Sequence, residues 1–247
     1  MRAATLHDWI VPDWPAPPAV RALVTTRAGG ASRGPFAALN LGTRVGDDPA
    51  AVAHNREILR SRLPADPVWL QQVHGTAVVD AESAGALPRA DGAVARTRHS
   101  VCAVLTADCV PVLLAHRSGD VVGIAHAGWR GLAGGVIEAT LARMAVPPGE
   151  VIAWLGPGIG PRAYEVGRDV YDAFVVPAPV LAAAFEPRAD GKFLADLYAL
   201  ARRRLAVAGT VAVYGGGFCT YTDSARFYSY RREQTTGRFA SLIWIDR

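Results

Sequence analysis

Two imidazoles and one thiol stand in three short segments of Gly, Asp and apolar residues: Gln71-Gln72-Val73-His74-Gly75, Thr106-Ala107-Asp108-Cys109 and Ala125-His126-Ala127-Gly128-Trp129-Arg130-Gly131. His74, Cys109 and His126 form the borderline-soft donor set that zinc accepts, and three protein ligands leave a fourth position for water or substrate. The expectation is a catalytic metal, not a structural one. His7, His54, His99 and His116 lack such surroundings and read as ordinary core or loop histidines. Cys102 falls inside an apolar run and reads as core, as a free cysteine usually does. Cys219, after Gly215-Gly216-Gly217-Phe218, stays ambiguous.

Behind these residues the apolar pattern alternates between short strand-like runs and a few helices. Ala22 to Thr26 reads as a strand, followed by a Gly-rich loop through Leu39-Asn40-Leu41-Gly42, long enough to suggest function. Asp48-Pro49 opens a helix to about Leu63, with Asp as N-cap and Pro at the first helical position. From Val68 to Ala127 strand follows strand: around Val78-Val79, then Gly92 to Ala95, Val101 to Leu105, Val110 to Ala115 and Val121 to Ala125. Their β-branched, near-continuous apolar character predicts burial on both faces. Cys109 falls in the break between two of these strands, and His126 at the end of the next, before a helix from Gly131 to about Met144. Further strands are expected at Val151 to Leu155, Val211 to Val213 and Leu242 to Ile245, with a helix over Leu194 to Val207. Strands that cluster instead of alternating strictly with helices predict an α+β fold. No composition break divides the 247 residues, so one domain, 1–247, is expected.

Arg130 enters the expected helix near its N-terminus, where backbone N–H groups and the dipole favour an anion such as phosphate. Pairing with a neighbouring carboxylate is the equal alternative. Gly156-Pro157-Gly158-Ile159-Gly160 has the look of a phosphate loop, but Pro157 removes an N–H and no Lys-Ser/Thr follows, so a tight turn is the better reading. Arginines interleaved with aromatics between Tyr221 and Arg238 could stack on a base, or form a solvated amphipathic strand.

Composition excludes several classes. The formal charge is only +4, with 26 basic against 22 acidic residues, and the basic residues are scattered, so the high pI does not point to nucleic acid. Three cysteines without framework spacing argue against structural disulfides and suit a reducing cytoplasm. Met1 to Trp9 carries neither an apolar core nor a cleavage site, and no apolar run approaches membrane-span length, so an unexported, non-membrane protein is expected. Oligomeric state is not legible.

Taken in order, Gln71 to Gly75, Ala90-Asp91-Gly92, Thr106 to Cys109, His126 to Gly131, Gly156 to Gly160 and Tyr230-Arg231-Arg232 resemble the YfiH-like, laccase-domain family over nearly the whole chain. Thr25-Thr26-Arg27-Ala28-Gly29-Gly30 and Leu39 to Gly42 agree with it. The resemblance implies a single α+β domain of mixed β-sheets flanked by helices, with a zinc-type site at His74, Cys109 and His126. It implies substrate-binding roles for Arg27, Asn40, Arg130 and Arg231. It further implies phosphorolysis of adenosine, inosine, guanosine and methylthioadenosine, with adenosine deamination as a second activity, so purine nucleosides and phosphate are the expected partners. Members are also named polyphenol oxidases and peptidoglycan editing factors.

Chemistry narrows these labels. A multicopper mechanism needs many histidines, commonly in His-x-His pairs, and the six here contain no such pair. A single copper in the same ligands remains possible, since copper binds such sites tightly. Zinc-bound hydroxide could attack purine C6, and phosphate near Arg130 could attack the ribose C1′. The usual zinc-deaminase signature is absent. Asp108 and Asp91 are the candidate proton shuttles. The alternatives are an amidohydrolase that edits peptidoglycan precursors, with Cys109 or metal-bound water as nucleophile, and a binding module with a structural metal.

Overall fold

Period-two alternation sorts the strands of this chain into layers. The computed structural model describes residues 9–246, so His7 and the N-terminal segment before Trp9 lie outside the described residues. In chain order the elements are β1 (Val20–Val24), α1 (Pro49–Arg60), β2 (Pro67–Val68), β3 (Val78–Asp80), β4 (Gly92–Ala95), β5 (Val101–Thr106), β6 (Val110–His116) and β7 (Val122–Ala127). Then come α2 (Trp129–Gly134), α3 (Val136–Met144), β8 (Val151–Leu155), β9 (Glu165–Val166), α4 (Arg168–Val175), β10 (Phe185–Pro187), β11 (Phe193–Ala195), α5 (Leu197–Val207), β12 (Ala212–Gly215), α6 (Tyr230–Glu233) and β13 (Phe239–Ile245).

Three mixed or antiparallel sheets result, with strand orders β1-β13-β5-β2, β12-β8-β6-β7-β4-β3 and β10-β11-β9. The four central strands of the six-stranded sheet, β8, β6, β7 and β4, are buried on both faces, as their apolar runs predict. Along β6, Val110, Val112 and Leu114 pack in the cluster formed with α3 and α5, whereas Leu113 and Ala115 face the four-stranded sheet. In that second sheet Cys102 and Val104 face inward, while Val101 and Ala103 pack with Leu59 at the end of α1. Cys102 is fully buried, as its place inside a strand predicts. The architecture is one α+β domain in which two stacked sheets are covered on their outer faces by helices.

Several boundaries move for local reasons. The helix expected from Gly131 to Met144 begins at Trp129 and is two helices, because Gly135 takes a left-handed backbone (φ 99°, ψ 33°) that caps α2 and opens α3. The helix expected from Leu194 starts at Leu197 instead: Asp196 is its N-cap, accepting the Ala199 N–H at 2.9 Å, and Leu194 and Ala195 belong to β11. The Asp48 cap is as expected, but α1 ends at Arg60. The strand expected from Ala22 to Thr26 runs Val20–Val24, and those at Val211 and Leu242 run Ala212–Gly215 and Phe239–Ile245.

Candidate metal centre and cleft

The end of the six-stranded sheet carries the donor set. Alternation along β7 puts His126 on the side of Val122 and Ile124, between the two sheets, at the last turn of the strand before Ala127. Cys109 lies in the break between β5 and β6, expected there from sequence, and His74 comes from the loop before β3, with a left-handed φ of 59°. The three donor atoms lie within 4.8 Å of one another, Cys109 Sγ is 3.8 Å from His74 Nε2, and the two imidazoles meet edge to face at 4.8 Å. A tetrahedral zinc with these ligands has edges of about 3.3–3.6 Å, so closing the set requires a shift of about 1.5 Å at most, which exposed His74 can supply. The residues fit a metal.

Asp91 holds two of the three. Fully buried, its carboxylate accepts the backbone N–H groups of Val73, His74 and Gly75 at 2.7–3.2 Å and the His126 Nδ1–H at 2.8 Å. The imidazole is thereby fixed with Nε2 free for the metal, an arrangement that orients the ring and raises ligand basicity. Burial opposes the Asp91 charge, but the His126 and Gly75 hydrogen bonds hold its pKa below the usual carboxylate value. Burial likewise opposes charge on Cys109 and His126, yet their mutual attraction lowers the thiol pKa and raises the imidazole pKa, helped by His74 and Asp91 respectively. Space is equally tight: a Cβ on Gly128 would stand 2.8 Å from both Cys109 Sγ and His74 Cδ2.

Asp108, the other candidate shuttle, is also engaged. It is buried with φ 96°, and its carboxylate accepts Thr220 Oγ1–H and the Arg231 N–H, both at 2.6 Å. Its own carbonyl receives the Ile159 N–H. The Gly156 to Gly160 segment is not the tight turn expected but an irregular link with a single bend at Pro157: its N–H groups go outward to the Pro111 and Asp108 carbonyls, the Tyr198 hydroxyl and Cys219, and a Cβ on Gly158 would meet Val110 at 2.6 Å.

A cleft of about 590 Å³ opens over the three donors. Its apolar wall includes Leu70, Leu105, Ile159 and the Tyr164 ring, and five arginines line it: Arg44, Arg56, Arg130, Arg231 and Arg238. Arg130 rests on Trp129 at 4.3 Å, and among the described residues no carboxylate lies within ion-pair distance of it. Its helix α2 is only six residues long, so the guanidinium, more than any helix dipole, carries the charge. Arg231 stacks over Tyr164 at 5.1 Å. Arg27 and Asn40 do not line the cleft. Arg27 Nε donates to the Ala37 carbonyl and the guanidinium sits over Tyr228. Fully buried Asn40 accepts the Gly42 and Arg238 N–H groups and donates to Asp47, so it positions two residues of the cleft lining. His54, His99 and His116 stand apart from the cleft. Cys219 accepts the Gly160 N–H, and Arg232 clamps the carbonyls of Thr220, Tyr221 and Phe227, while Tyr230 joins the cleft. Sequence reading missed Arg44, Arg56 and Tyr164; apart from the nearness of Arg44 to the Leu39-Asn40-Leu41-Gly42 motif, no spacing marks them.

The chain belongs to the family described as multi-copper polyphenol oxidoreductase laccase, whose model matches residues 21–246. The purine nucleoside phosphorylase of Pseudomonas aeruginosa is 55% identical over 242 residues, covering 98% of this chain and 100% of the relative. The purine nucleoside phosphorylase YfiH of Escherichia coli is 50% identical over 239 residues, covering 96% and 98%. Among solved structures, a Neisseria meningitidis DUF152 protein matches with a TM-score of 0.94 at 54% identity over 97% of this chain and all of that one. YlmD from Geobacillus stearothermophilus matches at 0.86 and 31% identity, covering 97% and 96%. The family description and the relatives' names point to different chemistries. Among the described residues His74, Cys109 and His126 form one group of metal-type donors, too few for a multicopper array. No helix among the described residues is long and apolar enough to cross a membrane.

Proposed function

We propose that this protein is a zinc-dependent purine nucleoside phosphorylase of the bacterial cytoplasm, acting on adenosine, inosine, guanosine and methylthioadenosine, with adenosine deamination as a second activity. The observation that carries the reading is the cluster of unpaired arginines around a three-ligand metal-type centre, in a cleft with one apolar wall. Its volume lies in the range of small-molecule sites, about 300–1,000 Å³. The names of the relatives support the same activity.

In this reading Arg130 and Arg231 hold phosphate, and Tyr164, Ile159 and Leu70 take the purine face. A phosphate oxygen forms the new bond to C1′ as the C1′–N9 bond breaks, and the base leaves with the bonding pair and collects a proton. Zinc, when bound, supplies a Lewis acid and a water of lowered pKa. Asp91 and Asp108, with both carboxylate oxygens already accepting hydrogen bonds, act here as positioning groups.

The test is product analysis from adenosine and inosine with and without phosphate. Ribose 1-phosphate should form only when phosphate is present; equally fast base release in phosphate-free buffer, with plain ribose as product, would replace the phosphorylase by a hydrolase. Arg130→Ala should raise the apparent KM for phosphate about tenfold or more, the loss of a charge-assisted contact of about 1.5–3 kcal/mol, and should disturb adenosine deamination less.

A second reading has one specific support. Cys109, His126 and Asp91 form a thiol–imidazole–carboxylate series of the kind that activates a cysteine nucleophile, which suits an editing amidohydrolase. Cys109→Asp separates the two. Zinc retention with substantial turnover identifies Cys109 as a ligand, whereas retained zinc with abolished turnover identifies it as the nucleophile.

A further inference from the structure

The cleft holds more positive charge than one phosphate needs. Ten arginines of the described chain make ion pairs, Arg27, Arg96 and Arg204 among them. All ten lie outside the cleft lining, and none of the five arginines within it is so paired. Asp108 is the one carboxylate in the lining, and its two oxygens are taken by the Thr220 hydroxyl and the Arg231 backbone N–H. Five cations facing that single carboxylate in a concave site repel one another and lose hydration, so their placement together is matched to an anion that arrives with the ligand.

The five fall into two sets held by different anchors. Arg130 and Arg231 gather around Tyr164: both guanidinium charges bear on its hydroxyl, and Arg231 covers its ring. The other three gather around the Leu41–Arg44 loop. Arg56 Nε donates to the Leu41 carbonyl at 3.0 Å while its guanidinium lies 4.2 Å over Trp69. Arg238 packs so closely on Gly42 that a Cβ there would meet its Cγ at 3.0 Å. Arg44 is exposed, two residues further along, with no hydrogen-bond or ion-pair partner among the described residues. Asn40, through Gly42 and the Arg238 N–H, ties the loop to the residue that precedes β13.

Given the phosphorolysis reading, which assigns free phosphate to Arg130 and Arg231, we infer that the substrate itself carries a second anionic group, a phosphoryl or similarly charged substituent, seated against Arg44, Arg56 and Arg238. The substrate class is then a purine nucleoside bearing an anionic group on its sugar, and an uncharged nucleoside is the minimal substrate.

Equilibrium binding of inosine and of inosine 5′-monophosphate to the zinc-loaded protein, in saturating inorganic phosphate, tests this. The monophosphate should bind about tenfold tighter, the order of one charge-assisted contact. Arg44→Ala should erase most of that preference while leaving the melting temperature unchanged, since the side chain holds nothing in the fold. Equal affinity for the two ligands in the parent protein overturns the inference. So does a preference that survives Arg44→Ala, because the phosphoryl group then sits on the metal or on Arg130. Two sites per chain for inorganic phosphate alone, one of them lost in Arg44→Ala, overturn it as well, since the second anion is then free phosphate. Ribose 1-phosphate production from inosine is measured separately. Its absence defeats the phosphorylase reading, while the binding preference still reports on the second anion seat.

Discussion

Asp91 and Asp108 are two buried carboxylates beside the same three donors, and they differ in what they hold. Asp91 gathers three consecutive backbone N–H groups of the His74 loop and the Nδ1–H of His126, so one side chain sets two of the three candidate donors. Asp108 reaches only scaffold: the Thr220 hydroxyl and the Arg231 backbone. It fixes the turn bearing Cys109 and draws an arginine-bearing helix onto the cleft. The first carboxylate builds the candidate metal centre and the second one wall of the cleft, although in sequence each is simply an Asp near a candidate donor.

The hardest blow to that distinction is Asp91→Ala. It leaves the His126 ring and three amides without their acceptor, and breaking a buried charged pair of this kind costs about 3–5 kcal/mol. Loss of a carboxylate behind a ligating histidine lowers metal affinity by about 10–100-fold. Zinc titration and thermal melting should therefore fall together, and a variant that keeps both removes Asp91 from its role. Gly128→Ala is narrower in effect. The backbone there, φ −71° and ψ 161°, suits any residue, but the new methyl would displace Cys109 and His74. Bound zinc should drop well below one per chain with the melting temperature little changed; full zinc occupancy in this variant would mean the ligands move aside freely. Asp108→Asn should be the mildest, since the amide still accepts one hydrogen bond and the residue tolerates a left-handed φ. The apparent KM for phosphate should rise about two- to tenfold, the size of one weakened hydrogen bond, with zinc affinity untouched. A loss of zinc in Asp108→Asn would erase the contrast between the two carboxylates.

What the sequence made legible follows from where the information lies. The strands Val101–Thr106, Val110–His116, Val122–Ala127 and Val151–Leu155 are buried on both faces and announce themselves as apolar runs. The strands of the small sheet are two or three residues long, and Glu165–Val166 or Phe185–Pro187 has no period to read. The break at Gly135 and the cap at Asp196 were visible as residues, yet the apolar pattern on either side of each continued and outvoted them. The candidate donors stood out in the sequence because His and Cys are scarce in the chain, and the structure brings them together. The hub role of Asp91 was not, because its partners are mostly backbone amides 16–18 residues away. Arg27 and Asn40, expected among the substrate-binding residues, lie outside the cleft lining and brace the loops behind it, a distinction that motif position alone does not make.

The separate footing of the cleft arginines bears on how such an enzyme diversifies. Arg44, Arg56, Arg130, Arg231 and Arg238 ride on a loop, α1, α2, α6 and the residue before β13, while the metal donors are bound to one another through Asp91 and the close fit at Gly128. Under the proposed function, one arginine can be exchanged at a time, altering what the cleft accepts while the donor set stays intact, whereas change among the donors has to be concerted.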